Sequence, residues 1–282
     1  MDRRLFGLAT AATALYMLRV FYRRLSTKHA AIRRELAAAH LLSSHHKYDE
    51  LVWNHISCRL PDEPSAFLIT PGTQLFDEVT PESLVVSSDS NANVTGDVIH
   101  RAIYEARPDI NAIVHHHSIP VVAVGLLPEG LRCLTQDASS FFGKVSYYEW
   151  EGLSDDYEEK KRIADALGSG SHTLIMRNHG ACTMGRTVAE AWVRYFYLDI
   201  VCKQQLAVHG LPKVVEPSDE TFKHGAAQMS EPPFVHGHSE WEALFRLAQR
   251  LDLAPRHAAR HALGRRAPPA DARAVRLLHQ LA

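Results

Sequence analysis

The sequence is short of the features that mark several protein classes. Only four of its 282 residues are cysteine, at Cys58, Cys133, Cys182 and Cys202, and no two form a Cys-x-x-Cys pair. Such scatter argues against a thiolate zinc site or a disulfide framework, and a reducing compartment, the cytoplasm, is the expected location. Neither sign of charge is in excess: 31 lysines and arginines stand against 32 acids, a formal net charge of −1. That balance supplies no global attraction to nucleic acid, and none is expected as a partner. There is no internal repeat. A full bilayer span needs roughly 20 apolar residues, and the longest apolar run falls short of that. What remains is a chain long enough for one large domain with a substantial core, and an unusual supply of histidine, 18 in all.

Residues 1–27 stand apart from the rest. Leu5 to Leu18 is apolar except for Thr10 and Thr13, and arginines flank it at Arg3, Arg4, Arg19, Arg23 and Arg24. Extended through Val20, Phe21 and Tyr22, with Arg19 snorkelling, the run reaches marginal membrane length. An arginine-rich, acid-poor start also suits a mitochondrial presequence. The segment is therefore read as a targeting or membrane-associated helix, with mitochondrial or membrane location as the alternative to the cytoplasm. A helix packed on a neighbour is the plain reading.

The folded domain is expected over 30–252. Ile32, Leu36, Ala39 and Leu42 recur at helical spacing between Ala30 and His46. Leu51 to Arg59 and Ala66 to Thr70 read as strands around the turn Pro61-Asp62-Glu63-Pro64. Thr95 is the expected N-cap of a helix to about Ala106. Ile110 to His117 reads as a buried strand, Asp155 to Leu167 as a charged helix, His172 to Met176 as a short strand. Val188 to His209 is a long helix with Ala189, Ala191, Trp192, Tyr195, Leu198 and Cys202 facing the core. Beyond Leu211 the pattern is irregular except for a helix near Trp241 to Leu251. A flexible basic tail is expected over 253–282.

The chemistry concentrates in three histidines. Side chains alternate faces along a strand, so His115 and His117 point to one side, ~6–7 Å apart at their Cα atoms, and His116 points to the other. Two imidazoles so placed can share a metal ion, and a catalytic zinc site uses three protein ligands with one position open. In Arg177-Asn178-His179-Gly180 the glycine permits a tight turn after a strand, which makes His179 the candidate third ligand. An isolated His-x-His also occurs without metal. His236-Gly237-His238 has the same spacing in an irregular stretch and is read as packing.

Several blocks then resemble one family. Trp53-Asn54-His55-Ile56-Ser57-Cys58-Arg59 is similar to the Asn-x-Ile/Val-Ser-x-Arg motif of class II aldolases and adducin heads. Phe67 to Gly72, His100 to Asp109 with Ala112 to Ser118, and Arg177 to Gly180 with Gly185 to Ala191 follow in that family's order. The resemblance runs from about Leu36 to Leu206. It implies an α/β fold, a three-layer α/β/α domain with a central sheet. It implies a divalent metal, usually zinc, on His115, His117 and His179, and a homotetramer with active sites at subunit boundaries. Family enzymes make or break a carbon–carbon bond beside a carbonyl that the metal polarises.

Two departures from the sugar-phosphate aldolases shape the functional expectation. Those enzymes carry Ser-Ser-Glu before the histidine matching His100, and the Glu acts as acid/base and further ligand. Here the stretch is Val94-Thr95-Gly96, and Gly96 cannot move a proton. Their phosphate turn, Thr-Pro-Thr-Gly, is here Thr70-Pro71-Gly72-Thr73. Asp97 is one position beyond the missing Glu and is the candidate substitute, against its plain role as a first-turn carboxylate. Asn54 and Thr95 are the candidate substrate-binding residues. His100 and Tyr104 are expected to pack, as are Tyr147 and Tyr148, although either of the latter could supply an acid to a partner subunit. The expected function is a metal-dependent lyase, by aldol cleavage or decarboxylation, on a small oxo-acid or hydroxy-carbonyl compound. The alternatives are a non-catalytic adducin-like protein that binds actin, and an oxygenase holding Fe2+ rather than Zn2+ on the three histidines.

Overall fold

A computed structural model describes residues 29–87 and 89–252. Segment 1–27 and the tail 253–282 lie outside the described residues. Among the described residues no helix is long and apolar enough to cross a membrane.

In chain order the elements are α1 (Ala30–His45), β1 (His55–Leu60), β2 (Glu63–Ile69), β3 (Val85–Val86), α2 (Val94–Ala106), β4 (Ala112–His116), α3 (Ile119–Gly125), β5 (Val145–Tyr148), α4 (Glu159–Leu167), β6 (Thr173–Met176), β7 (Gly180–Gly185), α5 (Val188–Val208), α6 (Asp219–Gln228) and α7 (Trp241–Asp252). The seven strands form one sheet in the order β3-β2-β1-β4-β7-β6-β5. Only the β5–β6 pair is parallel. Helices cover both faces, giving the three-layer α/β/α fold expected from the sequence.

Alternation along β4 sorts the core. Ala112 and Val114 join the larger cluster, under α1, α3 and α5, with Trp192, Tyr195 and Leu198 of α5 fully or almost fully buried in it. Ile113 joins the second cluster, under α2 and α4, with Ile99, Ile103, Ile163, Leu174, Cys182 and Met184. Each face of a central strand thus meets apolar helix residues, the usual condition for a doubly covered sheet.

Several local expectations change. β2 begins at Glu63 rather than Ala66, so the turn after β1 shrinks to Pro61-Asp62. Residues 51–54 do not extend β1: Leu51 takes a left-handed φ of 51° and the Trp53 amide bonds the Glu50 carbonyl, closing a turn before the strand. The N-cap of α2 is Asn93 rather than Thr95, because its Oδ1 reaches the Gly96 amide at 3.1 Å; the Thr95 hydroxyl donates to that same oxygen at 2.8 Å. The charged helix begins at Glu159 instead of Asp155. Within the stretch read as irregular, α6 forms behind Ser218, whose side chain caps the Thr221 amide, with Asp219 and Glu220 favoured in the first turn.

Candidate metal centre

The strand order places β1, β4 and β7 side by side at the centre of the sheet. His115 on β4 lies opposite His55 on β1 and opposite Cys182 on β7. His117 follows β4 by one residue. His179 sits in the three-residue connection from β6 to β7, where Asn178 takes the left-handed conformation at φ 61°. Asparagine tolerates that region better than most residues. The glycine of this turn does a different job from the one expected. A Cβ on Gly180 would lie 2.6 Å from His117 Cδ2 and 2.7 Å from the His116 carbonyl, so the missing side chain makes room for the His117 ring.

These placements bring the three histidines together. One ligand atom from each of His115, His117 and His179 lies within 4.8 Å of the others. The His179 ring centroid is 4.9 Å from that of His115 and 4.7 Å from that of His117. The Nε2 atoms of His115 and His117 face each other at 2.8 Å. Their Nδ1 atoms have other partners: His117 Nδ1 donates to Glu50 Oε2 at 2.5 Å, and His115 Nδ1 meets Cys182 Sγ at 3.4 Å. Burial holds the Cys182 thiol protonated, and lowers the pKa of His115 well below 6.5 and that of His179 to about 4. In the tautomers with a proton on each Nδ1, the state a metal ligand needs, both Nε2 atoms present lone pairs to the same point; with the Cys182 thiol donating instead, His115 Nε2–H donates to His117. Two lone pairs at that distance repel unless a proton or a cation lies between them. The donor set therefore fits a divalent cation, with Glu50 and Cys182 orienting the rings from behind as outer partners usually do.

Asn54 is fully buried at the edge of this cluster. Its Oδ1 accepts the His117 amide at 3.1 Å, and its Nδ2 is buried without a hydrogen-bond partner. Thr95 is half-buried at the start of α2 and is engaged with Asn93. Asp97 has close partners of its own. Arg101 donates to both of its oxygens, at 2.6 and 3.1 Å, and Tyr157 donates to one at 2.7 Å. Its partners give it a structural part, tying the first turn of α2 to Arg101 and to the segment before α4.

His100 and Tyr104 do more than pack. His55 Nδ1 bonds His100 Nε2 at 2.8 Å, His100 Nδ1 bonds Ser57 Oγ at 2.5 Å, and Ser57 Oγ bonds the Tyr104 hydroxyl at 2.9 Å. Arg59 of the same motif clamps carbonyls of Pro64, Tyr104, Arg107 and Ile110. Tyr147 accepts the Leu131 amide and lies under the Arg177 guanidinium, while Tyr148 donates to Glu159. His236 stacks on Tyr197 at 4.9 Å, as packing requires. Glu50 and His55 went unnoticed in the sequence. His55 carried a signal: it is one residue from Asn54 on a strand pairing with the His-x-His strand. Glu50 carried none, because its contact depends on the turn at Leu51.

A doubly covered mixed sheet with three histidines converging beside its central strand defines a class of α/β domain built around a potential metal site. The chain belongs to the class II aldolase and adducin N-terminal domain family, whose sequence model matches residues 34–206. A Caulobacter vibrioides protein named after the class 2 aldolases is 37% identical over 183 residues, 62% of this chain and 71% of that protein. Alpha-adducin of Rattus norvegicus is 34% identical over 244 residues, 78% of this chain but only 33% of the adducin. Among solved structures, an aldolase II superfamily protein from Pseudomonas syringae matches with a TM-score of 0.73 and 31% identity, over 79% of this chain and 94% of that one.

Proposed function

We propose that the chain is a metal-dependent lyase that acts by aldol cleavage or decarboxylation on a small oxo-acid or hydroxy-carbonyl compound. His115, His117 and His179 hold the divalent cation, zinc in preference to iron(II). The observation that carries this reading is the convergence of the His115 and His117 Nε2 atoms at 2.8 Å while both Nδ1 atoms are engaged elsewhere. A bound divalent cation supplies Lewis-acid polarisation of a substrate carbonyl.

The chain's own residues do the rest. Glu50 fixes the tautomer and direction of His117. Asn54 holds the His117 backbone and turns an unsatisfied amide donor toward a substrate oxygen, which offsets the cost of burying that group. Thr95 is the weaker substrate contact, since its hydroxyl already serves Asn93. Gly96 supplies no acid and Asp97 is committed to Arg101 and Tyr157, so the substrate or a water carries the proton. A substrate carrying a carboxylate beside its carbonyl would make the smallest demand on absent side chains. Phosphorylated ketoses make a larger one. Exposed apolar residues surround the cluster in sequence, with Leu51, Trp53 and Ile119 at 69, 56 and 83% exposure, and they support a homotetramer in which a second copy covers the site.

The test is a panel of oxo-acids and ketose phosphates, following carbonyl products with metal added and removed. Metal-dependent turnover of an oxo-acid is expected. Efficient ketose-phosphate cleavage would overturn the substrate class. The similarity to rat alpha-adducin favours one second reading, a non-catalytic adducin-like module. Inactivity on every compound together with co-sedimentation with actin would establish it.

A further inference from the structure

We propose that His55 occupies the space that a side chain at position 96 would need, so that a neutral ring lines the metal centre where a carboxylate would otherwise enter. The inference rests on reading His115, His117 and His179 as that centre. A Cβ built on Gly96 would lie 2.9 Å from both Cδ2 and Cγ of His55, closer than real Cβ atoms come to a neighbour. Ile69 Cδ1, at 3.0 Å, is the other obstacle, but it is a terminal methyl that one rotation about the Cβ–Cγ1 bond moves aside.

His55 cannot give way so easily. It is 1% exposed, and its ring stacks on that of His115 at 4.5 Å and 17°. The two residues are register partners on β1 and β4, so both rings rise from the same face of the sheet. Behind it the hydrogen-bonded row of His100, Ser57 and Tyr104 fixes its Nδ1 edge, and all three of these side chains are buried. The Nε2 edge is buried without a partner and is the part of the ring left for a ligand.

The exchange has an electrostatic consequence. A divalent cation on three neutral imidazoles carries a charge of +2, and a carboxylate at position 96 would reduce it to +1. Glu50 is present in either case, so the difference stays at one unit. A centre that is one unit more positive selects for a dianionic chelating ligand, because each added charge at close range changes affinity by a large factor in a site of low effective dielectric. Oxalate is the simplest probe of that class.

Two measurements on the full chain decide the matter. The first is thermal unfolding in EDTA. Gly→Ala inside a helix ordinarily stabilises, but Gly96→Ala should lower Tm by about 4–10 °C, the shift expected from moderate overpacking in a domain of this size. In a His55→Ala background the same substitution should be neutral or stabilising. His55→Ser replaces His55→Ala should the latter fail to fold. Gly96→Ala raising Tm in the wild-type background, or acting equally in both backgrounds, overturns the proposal.

The second is calorimetric titration of the zinc-loaded protein with oxalate. Adding Gly96→Glu to His55→Ala should weaken oxalate by at least about tenfold and tighten zinc in a chelator competition. Unchanged oxalate affinity overturns the electrostatic consequence. A wild-type protein that takes up no zinc defeats the metal-centre reading and the electrostatic consequence with it, while the EDTA unfolding series still decides where His55 sits.

Discussion

His115 and His116 are neighbours in the chain and equally inaccessible, yet they live in opposite chemistries. On the α5 side, His116 Nε2 bonds Ser43 Oγ at 3.0 Å, Trp192 Nε1 donates to the same oxygen at 2.8 Å, and Tyr195 donates to the His116 carbonyl. On that side too, His40 is bonded at both nitrogens, to the Leu36 carbonyl and to Thr70. On the α2 side the histidine nitrogens turn toward one another. His115 meets His117, His55 meets His100, and the His55 Nε2 has no partner. Burial alone does not separate a structural histidine from a ligand. His116 Nδ1, like His55 Nε2, is buried without a partner, so what separates the two faces is that ring nitrogens turn toward other ring nitrogens on the α2 side alone.

The comparison breaks most decisively at the triad. His179→Ala should reduce bound metal from about one ion per chain to near zero, because two imidazoles rarely retain a catalytic ion. His116→Ala should leave metal content intact while costing stability. Plasma mass spectrometry of the purified variants measures both, and full occupancy in His179→Ala would remove the distinction between the faces.

Acid should affect both faces together in the metal-free protein. Burial lowers the pKa of His40 to about 4 and of His100 and His236 to about 3, against an unfolded value near 6.5. The unfolded chain therefore binds more protons below pH 6.5. Stability should be complete above that value and fall by about 1.4 kcal/mol per pH unit for each such histidine, down to its folded pKa. Urea midpoints at pH 7, 5.5 and 4.5 measure the slope, and a flat profile would mean that these rings protonate without unfolding the protein.

Ser43→Ala sharpens the structural side. It leaves His116 Nε2 and Trp192 Nε1 without their shared partner, at a cost of about 1–3 kcal/mol in chemical denaturation, with metal content unchanged. Glu50→Gln tests the α2 side most gently. Glu50 is 60% exposed, so its loss should weaken metal by about tenfold, the lower end for an outer partner of a ligand. Chelator competition reads it, and an unchanged affinity would leave His117 oriented by Asn54 and packing alone.

Much of this was legible in the sequence. Period-two alternation separated His115 and His117 from His116. The motif blocks implied the α/β/α fold, and helical spacing identified the core residues of α5, all of which are buried. The apolar pattern is a local property of the chain, repeated every two or 3.6 residues, so it survives without tertiary information. The cap at Asn93, the late start of β1 and the helix α6 were missed because each depends on one or two backbone angles or a single side-chain bond.

The amino-acid sequence by itself determined which residue types were available and which of them would share a face: two histidines on one side of a strand, a third beside a glycine, and no carboxylate at position 96. Only the tertiary structure decided which of these groups meet. Gly96 and His55 are 41 positions apart in the chain, and Glu50 and His117 are 67 apart. No local pattern relates residues at such separations. Strand order and helix placement bring them into contact: close packing sets His55 against Gly96, hydrogen bonds set Glu50 and Asn54 against His117, and Arg101 and Tyr157 engage Asp97.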